Sequence, residues 1–207
     1  VSLPADLGGL NVTQAFTIEA TITDLNNQPI SGRTTVTVHP AKVYVGVRPA
    51  AVVAEAGKPV NVNLITVGWD SAPIANQKVR VDVSLLEWQQ DPQTLQWSQV
   101  KTPVIGDSVT TDAKGRASYP FTPSKAGSYV ITASTRDSGE KLAESGTYLW
   151  ISGPQAFNDN PDDRSLKLIA DKKEYVSGDT ASILIPSPFS GTVKALVTVE
   201  RAGLMKT

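Results

Sequence analysis

Residues 107–137, DSVTTDAKGRASYPFTPSKAGSYVITASTRD, decide the fold. The stretch divides into two strands joined by a short loop. The first strand follows Asp112-Ala113-Lys114-Gly115, a turn that opens on an aspartate and closes on the residue that takes a positive φ most readily. Ala117, Tyr119 and Phe121 then point one way, and Arg116, Ser118 and Pro120 the other. Residues 123–127 turn the chain, after which Tyr129, Ile131 and Ala133 resume the period of two. Strands with one apolar face each, separated by proline- and glycine-bearing loops, are the middle of a β-sandwich.

The same pattern extends in both directions. Upstream, Phe16, Ile18, Ala20 and Ile22 alternate with Thr17, Glu19, Thr21 and Thr23; a turn at residues 24–29 leads into a second strand over 34–38. Beyond His39-Pro40, Val43, Val45 and Val47 alternate, and Gly57-Lys58-Pro59 turns into Val60, Val62 and Leu64. Val79, Val81, Val83 and Leu85 stand opposite Lys78, Arg80, Asp82 and Ser84, a half-buried strand. Residues 87–100 form a protruding hairpin turning at Asp91-Pro92, with Trp88 and Trp97 on its arms, and 142–151 is a further strand. Residues 166–170, 181–185 and 194–201 supply strands beyond a polar, acidic stretch. No segment holds a 3.6-residue period, so the chain is all-β. A Gly-x-Tyr entering a late strand, here Gly127-Ser128-Tyr129, resembles the tyrosine corner of immunoglobulin-like sandwiches.

Two internal repeats set the domain arithmetic. FTIEATITD from Phe16 matches YVITASTRD from Tyr129 at an offset of 113 residues. Gly57-Lys58-Pro59-Val60 matches Gly178-Asp179-Thr180-Ala181 at an offset of 121. Both offsets are the length of one immunoglobulin-like domain. The expected division is residues 1–40 as the last strands of one sandwich, 41–153 as a complete antiparallel one, 154–163 as a linker, and 164–207 as the first strands of another. The two flanking pieces are expected to pair into a composite sandwich, within a chain or by exchange between copies.

The composition excludes several functions. Nineteen basic and 20 acidic residues leave a net charge of −1, with no basic stripe for nucleic acid. No apolar run reaches the roughly 20 residues that cross a bilayer as a helix. The absence of cysteine excludes disulfides and thiolate chemistry. The lone histidine, His39, stands at a strand end beside a proline, where a surface or interdomain role is expected. No nucleophile elbow, phosphate loop or His-Glu-x-x-His helix occurs, so no catalytic, cofactor-binding or metal residue is expected, and no enzyme. Asn158, Asp159, Asn160, Asp162 and Asp163 offer oxygens to a hard cation, but Pro161 and the missing loop glycine depart from the EF-hand pattern, leaving a solvated linker. Asn11-Val12-Thr13 has the form of a glycosylation acceptor, expected to be unused. Val1 in place of Met, and a strand-like run up to the end at Thr207, read as an excerpt from a longer protein.

The C-terminal unit is the most specific signal. Asp171-Lys172 before Tyr175, then Gly178-Asp179-Thr180, Ser187-Pro188-Phe189 and residues 195–201, ALVTVER, resemble bacterial α2-macroglobulins where their bait-region domain opens. Residues 21–49, TITDLNNQPISGRTTVTVHPAKVYVGVRP, resemble the join between two macroglobulin domains of that family. The resemblance implies macroglobulin-type sandwiches in a large secreted or envelope protein that entraps target proteases after cleavage of a bait segment. Many members also carry a thioester built on Cys-x-x-Gln; without cysteine, no residue here takes that role. The implied role is scaffold, lying against neighbouring macroglobulin domains. The competing expectation is a bacterial stalk or adhesin of tandem immunoglobulin-like domains. A carbohydrate-active enzyme's accessory module using Trp88 and Trp97 ranks behind both.

Overall fold

The computed structural model describes residue 2 and residues 12–154, 165–189, 191–200 and 204–206. The linker, apart from Pro154, and its acidic cluster lie outside the described residues, as does Asn11 of the glycosylation triplet. Every regular element among the described residues is a strand.

The central sandwich is built from eight of them. One sheet holds β3 (Val43–Pro49), β5 (Val60–Gly68) and β8 (Arg116–Phe121), in the order β3-β5-β8. The other holds β4 (Val53–Glu55), β6 (Lys78–Gln90), β7 (Trp97–Thr110), β9 (Gly127–Arg136) and β10 (Leu142–Ser152), in the order β4-β10-β9-β6-β7. All ladders are antiparallel except the short pairing of β4 with β10. The period of two places Val43, Val45, Val62 and Leu64 of one sheet against Val81, Val83, Ile131 and Leu149 of the other, all buried. The expected alternation on β6 holds, with Val79, Val81, Val83 and Leu85 buried.

Of the aromatic residues expected in this core, Tyr129 and Phe121 are buried and meet edge to face, their ring centroids 5.6 Å apart. Tyr119 is only half-buried, because its hydroxyl reaches out to Asp107 Oδ2 at 3.3 Å. The Tyr129 hydroxyl donates to the Lys125 carbonyl at 2.9 Å, the backward hydroxyl-to-backbone bond of a tyrosine corner. Antiparallel sheets packed face to face with this corner make the sandwich immunoglobulin-like.

The strands departed from expectation in extent. β7 runs on to Thr110, past the hairpin arm assigned to it, with an irregular register opposite Val83 and Ser84 that leaves Val104 unpaired. β4 was unassigned, being too short for a period to register. Trp88 faces Gln99 and Trp97 faces Gln90, so the two tryptophans are diagonal neighbours on one face, both half-buried.

The flanking units repeat parts of the sandwich. β1 (Gln14–Thr23) and β2 (Pro29–Val38) form a hairpin whose ten pairs, moved along by 113 residues, become the ten pairs of β9 with β10: Gln14↔Val38 maps onto Gly127↔Ile151, and Thr23↔Pro29 onto Arg136↔Leu142. The turns agree as well. Asp24 Oδ1 accepts the Asn26 and Gln28 N–H groups as Asp137 Oδ1 accepts those of Gly139 and Lys141, with Asn27 and Glu140 at φ 60° and 59°. β11 (Ile169–Ala170) pairs with β12 (Ile183–Leu184), and moved back by 121 residues its two pairs become Arg48↔Asn63 and Pro49↔Val62 of β3 with β5. Asp179 N–H donates to the Val176 carbonyl as Lys58 N–H does to that of Glu55, beside Gly178 and Gly57, both at positive φ.

The expected strand over 194–201 is reduced to β13 (Val199–Glu200), paired with β14 (Leu204–Lys206). Among the described residues, β1 and β2 pair only with each other. The described strands of the two flanking pieces share no ladder.

Candidate functional site

The most specific constellation lies where the β1–β2 hairpin meets the sandwich. β2 ends at Val38, and within five residues the chain enters β3, so side chains from both ends of this join are forced together. His39 packs its ring edge-on against Tyr44 and against Trp69, with centroids 5.7 and 5.6 Å apart. The Tyr44 hydroxyl is hydrogen-bonded both to His39 Nδ1 and to Thr13 Oγ1, tying the hairpin to β3. On the other side of the join, the Lys42 N–H donates to Asp137 Oδ2 at 2.8 Å, so the β9–β10 turn holds the start of β3. That bond, with those from Lys141 and Gly139, holds the Asp137 carboxyl below the usual carboxylate range.

This arrangement ties Thr13 and His39 to β3 through Tyr44. Among the described residues, His39 has hydroxyl partners and two flat rings, with no carboxylate hydrogen-bonded to it. His39, expected at the surface or between domains, is half-buried against Tyr44 and Trp69. Lys42, Tyr44, Trp69 and Asp137 were not singled out from the sequence. Their contacts join residues up to 95 positions apart, and only the repeat, which makes Asp137 the counterpart of Asp24, carried any sign of them.

Other surfaces carry less. Among the described residues no group of three His, Cys, Asp or Glu side chains is placed to hold a metal ion. An open hollow over the smaller sheet is lined by Gly46, Arg48, Asn63, Ile65, Arg116 and Ser118, and among the described residues no buried side-chain nitrogen or oxygen lacks a hydrogen-bond partner. No described helix is long and apolar enough to cross a membrane. Oδ1 of Asp112 and Oδ1 of Asp91 each accept two backbone N–H groups of their own turns, as Oδ1 does at Asp24 and Asp137.

The fold is an immunoglobulin-like sandwich of eight strands, flanked by two strand pairs whose registers match parts of it. No family model matches the chain. A curated relative, the alpha-2-macroglobulin homolog of Nostoc sp., is 25% identical over 181 residues, which cover 84% of this chain and 9% of that protein. Among solved structures, native E. coli alpha-2-macroglobulin is similar over 91% of this chain and 13% of its own, with 18% identity and a TM-score of 0.48. Salmonella alpha-2-macroglobulin reacted with methylamine is similar over 87% of this chain and 12% of its own, with 16% identity and a TM-score of 0.44. The chain is related to the bacterial alpha-2-macroglobulin family, and it spans about a tenth of the length of the curated relative.

Proposed function

We propose that this chain is a non-catalytic scaffold segment of an α2-macroglobulin-like protease trap. In this reading residues 1–40 are the closing strands of one macroglobulin domain, 41–153 a complete domain, 154–163 a linker, and 164–207 the opening strands of the domain that leads to a bait segment. The observation that carries the reading is the register agreement at both ends. The hairpin repeats the last two strands of the sandwich and the C-terminal pair repeats its first sheet, at the spacing of one domain each. The relation to bacterial alpha-2-macroglobulins supports the class of protein.

The role follows from what the residues do. Short joins such as that at residues 39–42, clamped by Tyr44, His39 and Asp137, fix one sandwich against the next. A longer polar linker at 154–163 gives a softer joint. Target proteases are then partners of the whole protein, exported to the envelope or beyond, and its neighbouring macroglobulin domains are the partners of this segment.

Two measurements test the proposal. Mixed in excess with a broad-specificity endopeptidase, the chain leaves hydrolysis of a large protein substrate unchanged; stoichiometric protection overturns the scaffold role. Limited proteolysis leaves a resistant core bounded near residues 41 and 153, with early cuts in 154–163; a core that excludes β3 or β10 overturns the domain division.

A further inference from the structure

We infer that a buried polar network at one end of the sandwich, centred on Thr111 and Gln77, fixes the angle of the β1–β2 hairpin. It does so by locking together the two supports of the joint at residues 39–42. The inference rests on the scaffold reading above and deepens it, assigning positioning residues that act on the joint through Trp69 and Asp137.

The argument begins with the pleat. Thr66 follows Val62 and Leu64 on the inward side of β5, and Thr135 follows Ile131 and Ala133 on that of β9. An apolar side chain is the default at such positions. With Thr111, just past the end of β7, these threonines are the buried polar side chains among the described residues. Burying a hydroxyl costs free energy unless it is hydrogen-bonded, so three at one end of a core call for an account.

All three hydroxyls are satisfied within one network. Thr66 Oγ1 donates to the Ile74 carbonyl at 2.6 Å and lies 3.2 Å from Thr111 Oγ1, which bridges the two sheets. Thr111 Oγ1 accepts the Gln77 N–H at 3.0 Å. The Gln77 side-chain amide donates to Thr135 Oγ1 at 2.6 Å and to the Arg136 carbonyl at 2.7 Å. Thr135 Oγ1 donates in turn to the Lys78 carbonyl at 2.7 Å.

The network sits where the hairpin joins. Val43, at the start of β3, is opposite Gly68 at the end of β5, and Lys78, at the start of β6, is opposite Thr110. One support of the joint is Trp69, packed on His39; the other is Asp137, whose Oδ2 accepts the Lys42 N–H. Trp69 belongs to the connection between β5 and β6. That connection is tied to Thr66 through the Ile74 N–H at 2.9 Å, and to Thr111 through the N–H groups of Asn76 and Gln77. Asp137 follows Arg136, whose carbonyl the Gln77 amide holds. Gln77 therefore joins the two supports. A satisfied buried network specifies one arrangement, whereas relative motion is the default for units that share a small interface.

A cysteine-free chain makes the test direct. Spin labels at Glu19→Cys on the hairpin and Ser118→Cys on the sandwich give a distance distribution by double electron–electron resonance. Labels at Ser118→Cys and Glu144→Cys, both within the sandwich, give the control. All four label sites are at exposed residues. Gln77→Met keeps the side chain's length and removes both donors; it should broaden the hairpin distribution about twofold and leave the control unchanged. Thr111→Val removes the shared acceptor and should do the same, while Thr111→Ser keeps the hydroxyl and the narrow distribution. An unchanged hairpin distribution in both Gln77→Met and Thr111→Val overturns the inference. So does equal broadening of the control pair, which would make the network a support of the whole sandwich. Either result beside a resistant core at 41–153 leaves the domain division standing. A parent chain as broad as its variants would overturn the inference and, with it, the fixed joint of the scaffold reading.

Discussion

The β9–β10 pair and the β1–β2 hairpin have the same register, the same turn and the same alternation of apolar residues, yet one is the inner wall of a core and the other is largely exposed. The difference lies in the partner sheet. β9 and β10 face Val43, Val45, Val62 and Leu64; no described strand faces β1 and β2 in this way. Apolar alternation prepares a surface for burial, but the hydrophobic gain arises only when a second sheet removes that surface from water. An isolated two-stranded hairpin is marginal on its own.

The largest expected effect separates the two regions by truncating an aromatic in each. Phe121→Ala removes a fully buried ring that packs on Tyr129 and should destabilise the sandwich by about 3–5 kcal/mol. Phe16→Ala removes a ring with 39% exposure in the hairpin and should leave the main thermal transition of the sandwich in place. Thermal unfolding followed by near-ultraviolet dichroism reads both. Equal losses would mean that the hairpin and the sandwich unfold as one cooperative body.

A smaller effect distinguishes two glycines that share a backbone region. Gly115 has φ +69°, and a Cβ there would lie 2.4 Å from the Thr66 carbonyl oxygen and 3.0 Å from that of Ile74. Gly115→Ala combines backbone strain with a clash against two strand-linking carbonyls, and about 2–4 kcal/mol of destabilisation is expected. Gly178 has φ +99°, but a Cβ there meets nothing within 4 Å. Gly178→Ala should cost only its left-handed conformation, about 1 kcal/mol, and within the C-terminal unit alone. Chemical denaturation of the two variants gives the ranking, which a Gly178→Ala effect on the sandwich transition would contradict.

The sequence carried the local rules well. Alternation at Val79 to Leu85 located β6 and its buried side, Asp112 to Gly115 marked the turn, and Gly127-Ser128-Tyr129 marked the corner that the Tyr129 hydroxyl closes on Lys125. It also carried the repeats at both ends. It did not reveal β4, because three residues hold too little pattern, or the full run of β7, whose alternation is broken at the irregularity beside Val104. The half-exposure of Tyr119 was hidden because parity gives a side chain's face and not how close to the sheet edge it lies; β8 is an edge strand and Asp107 is within reach. The joint was least legible. Bonds such as Lys42 to Asp137 depend on where a distant turn is carried by the whole fold, which no local pattern encodes.

The smallest effect tests the comparison at its two aspartates. In the folded chain the Asp137 carboxyl is held below its ordinary value of 3.8, first by the Lys42 N–H and then by the N–H groups of Lys141 and Gly139. A group with a depressed folded value binds its proton less readily folded than unfolded. Its contribution is therefore present above the ordinary carboxylate range and is lost as the pH falls through the folded value. The sandwich should weaken from about pH 5 downward, with Asp112, depressed by its turn's Arg116 and Lys114 N–H groups, adding to the slope. Asp137→Asn keeps the Oδ1 acceptor of the turn and removes the titrating charge, so the midpoint at neutral pH should fall by a few degrees and the acid slope should flatten in part. Asp24 is depressed by its own turn's bonds, the Gln28 N–H first, but it holds no strand of the sandwich, so Asp24→Asn should leave the acid profile of the sandwich transition unchanged. Melting curves at a series of pH values from 7 down to about 3 decide the matter. If Asp137→Asn follows the parent profile point for point, the bond to Lys42 contributes nothing to holding β3, and the difference drawn between the two aspartates is lost.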